Sequence, residues 1–111
     1  MFTTVQVKPL STNSLFQGRR YRTSAYDDYE KEVSYQLPPQ IVMPTGKLFV
    51  RYVVGLSNRN ADMANIEKAF TDILQKKYLF NDKNIYKLEM ERVDTKKGEE
   101  FVSFEILPYD P

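Results

Sequence analysis

The sequence predicts an α/β (α+β) protein of two layers, a small mixed β-sheet with two helices packed on one side, in the order β-α-β-α-β-β. Three observations carry this. Ile66, Ala69, Phe70, Ile73 and Leu74 recur at i, i+3, i+4, i+7 and i+8, the spacing of a helix with one buried stripe. Lys47 to Val54 is apolar on both sides and broken only by Arg51, as expected of a central, largely covered strand. Two β-rich runs then follow, so helices and strands share the chain and must cover one another in layers.

The elements follow in order. Phe2 to Val7 is a short strand with Val5 and Val7 on one face. Pro9 to Thr23 has no clear period and is rich in Ser, Thr, Asn, Gly and Arg, which reads as a loop. Ser24 suits a helix N-cap, and Asp27 adds a first-turn anion. Tyr26, Tyr29, Val33 and Leu37 then recur at helical spacing. Pro38, Pro39 and Pro44 with Gly46 form a connector that no helix can cross. Strand Lys47–Val54 and the second helix come next. Ile85 to Val93 and Glu100 to Leu107 are strands joined as a hairpin through Asp94-Thr95-Lys96-Lys97-Gly98.

At 111 residues, one domain spanning 1–111 is expected. With 41% hydrophobic and 28% charged residues the chain is globular rather than disordered. The absence of Cys excludes disulfide scaffolds, Cys-ligated zinc, iron–sulfur clusters and thiol catalysis. The absence of His removes the Ser-His-Asp triad and histidine-bound metals. Catalysis from this alphabet would use carboxylates, Lys, Tyr, Ser or Thr, or an oxygen-ligated metal. The N-terminus lacks the apolar core of a signal peptide, and no apolar run approaches about 18 residues, so a soluble, cytoplasmic protein without a membrane span is expected.

The formal net charge of +1 conceals an asymmetry. Lys8, Arg19, Arg20 and Arg22 all precede the first acidic residue, Asp27. Guanidinium forks suit phosphate oxygens, and Tyr21 among the arginines suits base stacking. A solvated surface loop is an equally good reading of Gln17-Gly18-Arg19-Arg20-Tyr21-Arg22-Thr23-Ser24 by itself.

Asp62-Met63-Ala64-Asn65-Ile66-Glu67-Lys68 opens the second helix, and Asp82 lies just past its end. These carboxylates can meet if the following loop folds back toward the same sheet edge. Without His, an aspartate-bound hard cation is the metal site the composition allows most easily. Each residue also has a plain structural use. Asp62 and Asn65 are good helix caps, Lys68 and Asp72 form an i, i+4 pair, and Asp82 sits among turn residues. Composition and spacing thus leave a metal-dependent phosphoryl-transfer enzyme and a small binding module both open.

Taken together, Asp62-x-Ala64-Asn65-x-x-Lys68-x-x-x-Asp72-x-Leu74 followed by Asn81-Asp82-x-x-Ile85 resembles the signature of RusA-type Holliday junction resolvases, D-x-D-N-x-x-K-x-x-x-D-x-L and then D-D-x-x-I/V. Pro9-Leu10-Ser11-Thr12-Asn13, the Gly/Arg-rich stretch after it, the Tyr-containing helix and the C-terminal strand pair also match, so the likeness spans most of the chain. The resemblance implies a homodimeric endodeoxyribonuclease, often phage- or prophage-encoded, that acts in the cytoplasm of a bacterial host. Members resolve four-way or branched DNA by paired nicks with Mg2+ or Mn2+. It makes Asp62 and Asp82 the metal ligands and Lys68 a phosphate or transition-state stabiliser. Asn65 and Asp72 take supporting roles, and Asn13, Arg19, Arg20, Arg22 and Asn65 take DNA contacts.

Two positions depart from the signature. Asn81 replaces the first Asp of the Asp-Asp pair. Ala64 replaces the middle catalytic Asp, which in an extended i, i+2 spacing would share the metal with Asp62. Loss of that ligand implies impaired catalysis. Either the chain has been inactivated deliberately, which the intact surrounding motif favours, or it is a degenerate member that binds junctions without cutting. A non-catalytic junction-binding recombination accessory protein is therefore the alternative. A protein-interaction module presenting Tyr21, Tyr26, Tyr29 and Tyr35 is a third, although Tyr26 and Tyr29 also suit the buried side of the first helix.

Overall fold

The computed structural model describes residues 2–10, 16–17, 21–22 and 24–110. A four-stranded sheet runs in the order β1-β6-β4-β5, with β1 Thr3–Val5, β4 Leu48–Leu56, β5 Ile85–Asp94 and β6 Phe101–Pro108. Pairing is antiparallel at β1/β6 and β6/β4 and parallel at β4/β5. Helix α1 spans Ser24–Gln36 and helix α2 spans Met63–Tyr78. The mixed two-layer sheet with two helices is the architecture the sequence predicts.

Two expectations are corrected. Within the stretch read as loop, β2 Phe16–Gln17 pairs with β3 Tyr21–Arg22. Strands of two residues are too short to leave a period-2 signature. The second correction concerns the sheet order: β5 and β6 are not a hairpin, because β4 lies between them and pairs with both. A strand as apolar as β4 is best placed where both edges are hydrogen-bonded, and the α2 crossover lets β5 run parallel beside it. The segment after β5 therefore passes over the end of β4. It is fastened there by the Thr95 N–H donating to the Leu56 carbonyl (2.9 Å) and by the Ser57 hydroxyl donating to Glu100 (2.6 Å). Gly55 is required at this crossing, since a Cβ would overlap the Phe101 ring and crowd the Thr95 methyl at 2.8 Å.

The core lies between the sheet and the helices. Leu48, Val50, Tyr52 and Val54 of β4 and Val102, Phe104 and Ile106 of β6 meet Ile66, Ala69, Phe70, Ile73 and Leu74 of α2, all buried. Phe70 stands edge-on to Tyr52 (centroids 5.8 Å apart, 87° between planes) and 5.9 Å from Phe104. Tyr26, Tyr29 and Val33 of α1, with Leu37 just beyond it, complete the core. Tyr26 and Tyr29 are thus packing residues and unavailable as a contact surface, whereas Tyr35 is exposed. Strand β4 is less covered than predicted: its opposite face is half-buried, and there Arg51 pairs with Glu89 (3.3 Å) and Glu105 (3.5 Å) on the flanking strands.

Candidate active site

Helix α2 begins where Asp62 caps it. Asp62 is extended (φ −90°, ψ 109°), and its Oδ1 accepts the N–H groups of Ala64 (3.0 Å) and Asn65 (3.4 Å). Its Oδ2 accepts from the Asn65 side-chain amide at 3.1 Å. These bonds satisfy N–H groups that a helix start leaves unpaired and place a negative charge at the positive end of the helix. They also correct the local picture of the motif. Position 64 is already helical, so residues 62 and 64 are a cap and a first-turn residue rather than two same-side positions of a strand.

At its other end α2 terminates at Leu79, whose left-handed backbone (φ 56°, ψ 49°) turns the chain, while its N–H donates to the Gln75 carbonyl at 2.9 Å. A single 3-10 turn, Asp82–Asn84, follows, capped by Asn81, whose side chain accepts the Lys83 N–H at 3.0 Å. The chain folds back far enough for the Asp82 N–H to donate to the Gln75 side-chain oxygen at 2.8 Å. The other half of the Gln75 amide donates to Asp72 Oδ1 at 3.3 Å.

A cleft of about 520 Å³ runs along this face of α2 beside β5. Ala64, Asn65, Glu67, Lys68, Thr71 and Asp72 line it from the helix, Asp82 from the turn, and Ile85 and Leu88 from β5. Burial, the largest influence, pushes the Asp72 carboxyl above the usual range; the Lys68 ammonium pulls it down and the Asp82 carboxylate raises it again. Asp72 and Asp82 therefore feel each other's charge. Lys68 points to solvent, opposite the buried Ile66 and Phe70, and among the described residues it has no carboxylate within 4 Å.

Asp62 is not part of the same group. It lies ten residues before Asp72, about 15 Å along the helix axis at 1.5 Å per residue. Ligands of one magnesium ion each sit about 2 Å from it. Asp62 and Asp82 of a single chain are accordingly too far apart to share a cation, because α2 separates the C-terminal end of β4 from the start of β5. Among the described residues no three carboxylates converge on one point. The donor chemistry nonetheless fits a hard cation at the Asp72–Asp82 end. These are oxygen donors in an open cleft, and magnesium takes one or two carboxylates and retains waters.

Sequence reasoning missed four residues around this cleft. The Tyr52 hydroxyl, buried in the core, lies 2.6 Å from Thr71 Oγ1, which donates to Glu67 Oε2 at 2.6 Å. Burial pushes the Tyr52 phenol far above its ordinary value, so it stays protonated and serves as the donor to Thr71. The chain Tyr52–Thr71–Glu67 braces a carboxylate at the cleft wall from inside the core, and Gln75 bridges Asp72 and Asp82. A signal existed for Thr71: a hydroxyl within an otherwise apolar stripe needs a partner. Gln75 carried none. Of the DNA-contact expectations, Asn13, Arg19 and Arg20 fall outside the described residues, Arg22 belongs to β3, and Asn65 lines the cleft.

Among the described residues no helix is long and apolar enough to cross a membrane. No curated protein matches the chain. The family model described as Endodeoxyribonuclease RusA matches residues 4–105, nearly the whole chain and every residue that lines the cleft. The chain belongs to the RusA endodeoxyribonuclease family, nucleases that resolve Holliday junctions.

Proposed function

We propose that this chain is a structure-selective endodeoxyribonuclease that binds four-way or branched DNA as a homodimer and resolves it by paired, metal-dependent nicks, with catalysis impaired by Ala64. The observation that carries the reading is the cleft in which Lys68, Asp72 and Asp82 line one wall system beside Ala64. A bound Mg2+ or Mn2+ ion supplies an activated water and a polarised phosphate in hydrolysis of this kind. Asp62 and Asp82 are the ligands proposed from the motif, not on one ion within a single chain but in a site that a second copy completes, with Asp72 supporting Asp82. The Lys68 ammonium, which among the described residues has no carboxylate within 4 Å, is placed to neutralise a phosphate oxygen, and Asn65 holds the Asp62 carboxylate in orientation.

The separation of the two motif aspartates supports the homodimer. Two nicks of opposed symmetry ask for two related subunits. A second copy also offers each Asp82 a partner that its own Asp62 cannot be. The arginine-bearing segment, with Asn13, Arg19, Arg20 and Arg22, is proposed to hold DNA phosphates. The setting is the cytoplasm of a bacterial host, with a phage or prophage as source. Position 64 favours one alternative, a junction-binding accessory protein that does not cut, because a methyl group cannot replace a carboxylate ligand.

Ala64→Asp separates the two. Magnesium- or manganese-dependent nicking of a synthetic four-way junction, absent or weak in the parent and raised in the variant, is the expected result. A variant that binds junctions tightly but nicks none across both metals refutes the enzymatic reading and leaves the accessory role.

A further inference from the structure

We propose that Gln75 is a positioning residue of this site, holding the Asp82 turn against Asp72 through both halves of its side-chain amide; the inference rests on the nuclease reading above. Gln75 makes three contacts, two with the segment that leads into the Asp82 turn and one with Asp72 on its own helix. Its main-chain carbonyl accepts the Leu79 N–H (2.9 Å), its side-chain oxygen accepts the Asp82 N–H (2.8 Å), and its side-chain nitrogen donates to Asp72 Oδ1 (3.3 Å). The first contact closes the helix at a leucine held in a left-handed conformation, which L-residues other than Gly and Asn seldom adopt. The second and third are the ones that matter for chemistry.

Asp72 and Asp82 repel each other, and both the turn and its carboxylate are exposed. Left to itself a short polar turn would swing Asp82 away from Asp72. A neutral amide of this length accepts from the backbone of one aspartate through its oxygen while donating to the carboxylate of the other through its nitrogen. It holds two like charges near each other without neutralising either, leaving that to a cation or to Lys68. A Met of the same length would fill the space and make neither bond, and a Glu would add a third negative charge. Groups of this outer kind typically change metal affinity about 10–100-fold when replaced.

The test uses Gln75→Met in the parent chain and in the Ala64→Asp background, with Tyr78→Phe as control. The control removes the 2.8 Å bond from Tyr78 to the Pro38 carbonyl at the same helix end without touching the turn. The probe is Mn2+ alone, followed by paramagnetic relaxation, together with hydrogen exchange of the Asp82 amide. Gln75→Met should weaken Mn2+ binding by about tenfold or more and speed Asp82 exchange, with Tyr78→Phe doing neither. In the Ala64→Asp background the magnesium concentration for half-maximal nicking should rise while the rate at saturating metal changes little. Unchanged Mn2+ affinity in Gln75→Met overturns the proposal, as does a parent and an Ala64→Asp variant that bind no Mn2+ at all. If Gln75→Met weakens Mn2+ binding but Ala64→Asp never nicks, the nuclease reading falls and the positioning of a cation site by Gln75 stands.

Discussion

Replacing Thr71 with valine tests the hydrogen-bonded chain that runs from the core to the cleft. Thr71 is buried, and its hydroxyl is both acceptor from Tyr52 and donor to Glu67. Valine keeps the shape but leaves the Tyr52 hydroxyl, in a residue only 2% exposed, without its partner. A stranded buried hydroxyl costs about 1–3 kcal/mol, and the lost bond to the Glu67 carboxylate adds about 1 kcal/mol, so Thr71→Val should destabilise by about 3 kcal/mol. Tyr52→Phe removes one hydroxyl and leaves Thr71 bonded to Glu67, so it should cost about 1 kcal/mol. The double variant has nothing left to strand. It should therefore be more stable than Thr71→Val alone, with a coupling of about 2 kcal/mol that opposes additivity. Urea unfolding of the four proteins closes the cycle, since a chain of this size is expected to unfold in one transition. If Tyr52→Phe costs as much as Thr71→Val, or if the two effects simply add, the chain does not act as a unit and the bracing of Glu67 is refuted.

Further outcomes follow from the packing, the caps and the titrating carboxyls. Gly55→Ala forces a methyl into the Phe101 ring where the chain crosses the end of β4, and should lower stability by about 1–3 kcal/mol in urea; a neutral change would place the crossing elsewhere. Asp62→Ala removes the α2 cap and should cost about 1 kcal/mol, whereas Asp62→Asn caps nearly as well. In the Ala64→Asp background Asp62→Asn should therefore keep the unfolding midpoint yet lose metal-dependent nicking, and equal losses of stability in both variants would make Asp62 a cap and nothing more. Glu100 is held below the usual carboxylate range, first by the Ser57 hydroxyl and then by backbone N–H bonds. Its stabilisation is present above the unfolded carboxyl value and is lost as pH falls through the lower folded value, so Glu100→Gln should flatten the acid side of the stability–pH curve. Asp72 has the opposite sign: raised chiefly by burial, it favours the fold while protonated and loses that contribution as pH rises through its folded value.

Much of this protein was legible one element at a time. The stripe of α2, the Tyr-Tyr-Val-Leu spacing of α1 and the apolar run of β4 each follow from local side chains; the two helix stripes proved buried where the spacing placed them, whereas β4 is fully covered on one face and half-buried on the other. The capping use of Asp62 was equally readable, because a cap depends only on the next three residues. Family membership came from residues fixed at short intervals along one helix and one turn. The sheet order was not readable in this way. Which strand lies between β5 and β6 depends on contacts between segments far apart in the chain, and a tempting Asp-Thr-Lys-Lys-Gly turn says nothing about them. The meeting of Gln75 with Asp82 needed a left-handed leucine, a conformation that side chain does not advertise. The distance between Asp62 and Asp82 was decided by tertiary structure as well. Spacing in sequence places both in one motif, but a helix rising about 1.5 Å per residue carries them to opposite ends of a strand–helix–strand unit. Residue type and periodicity are local properties; adjacency across a sheet and convergence of charges are properties of the folded chain alone.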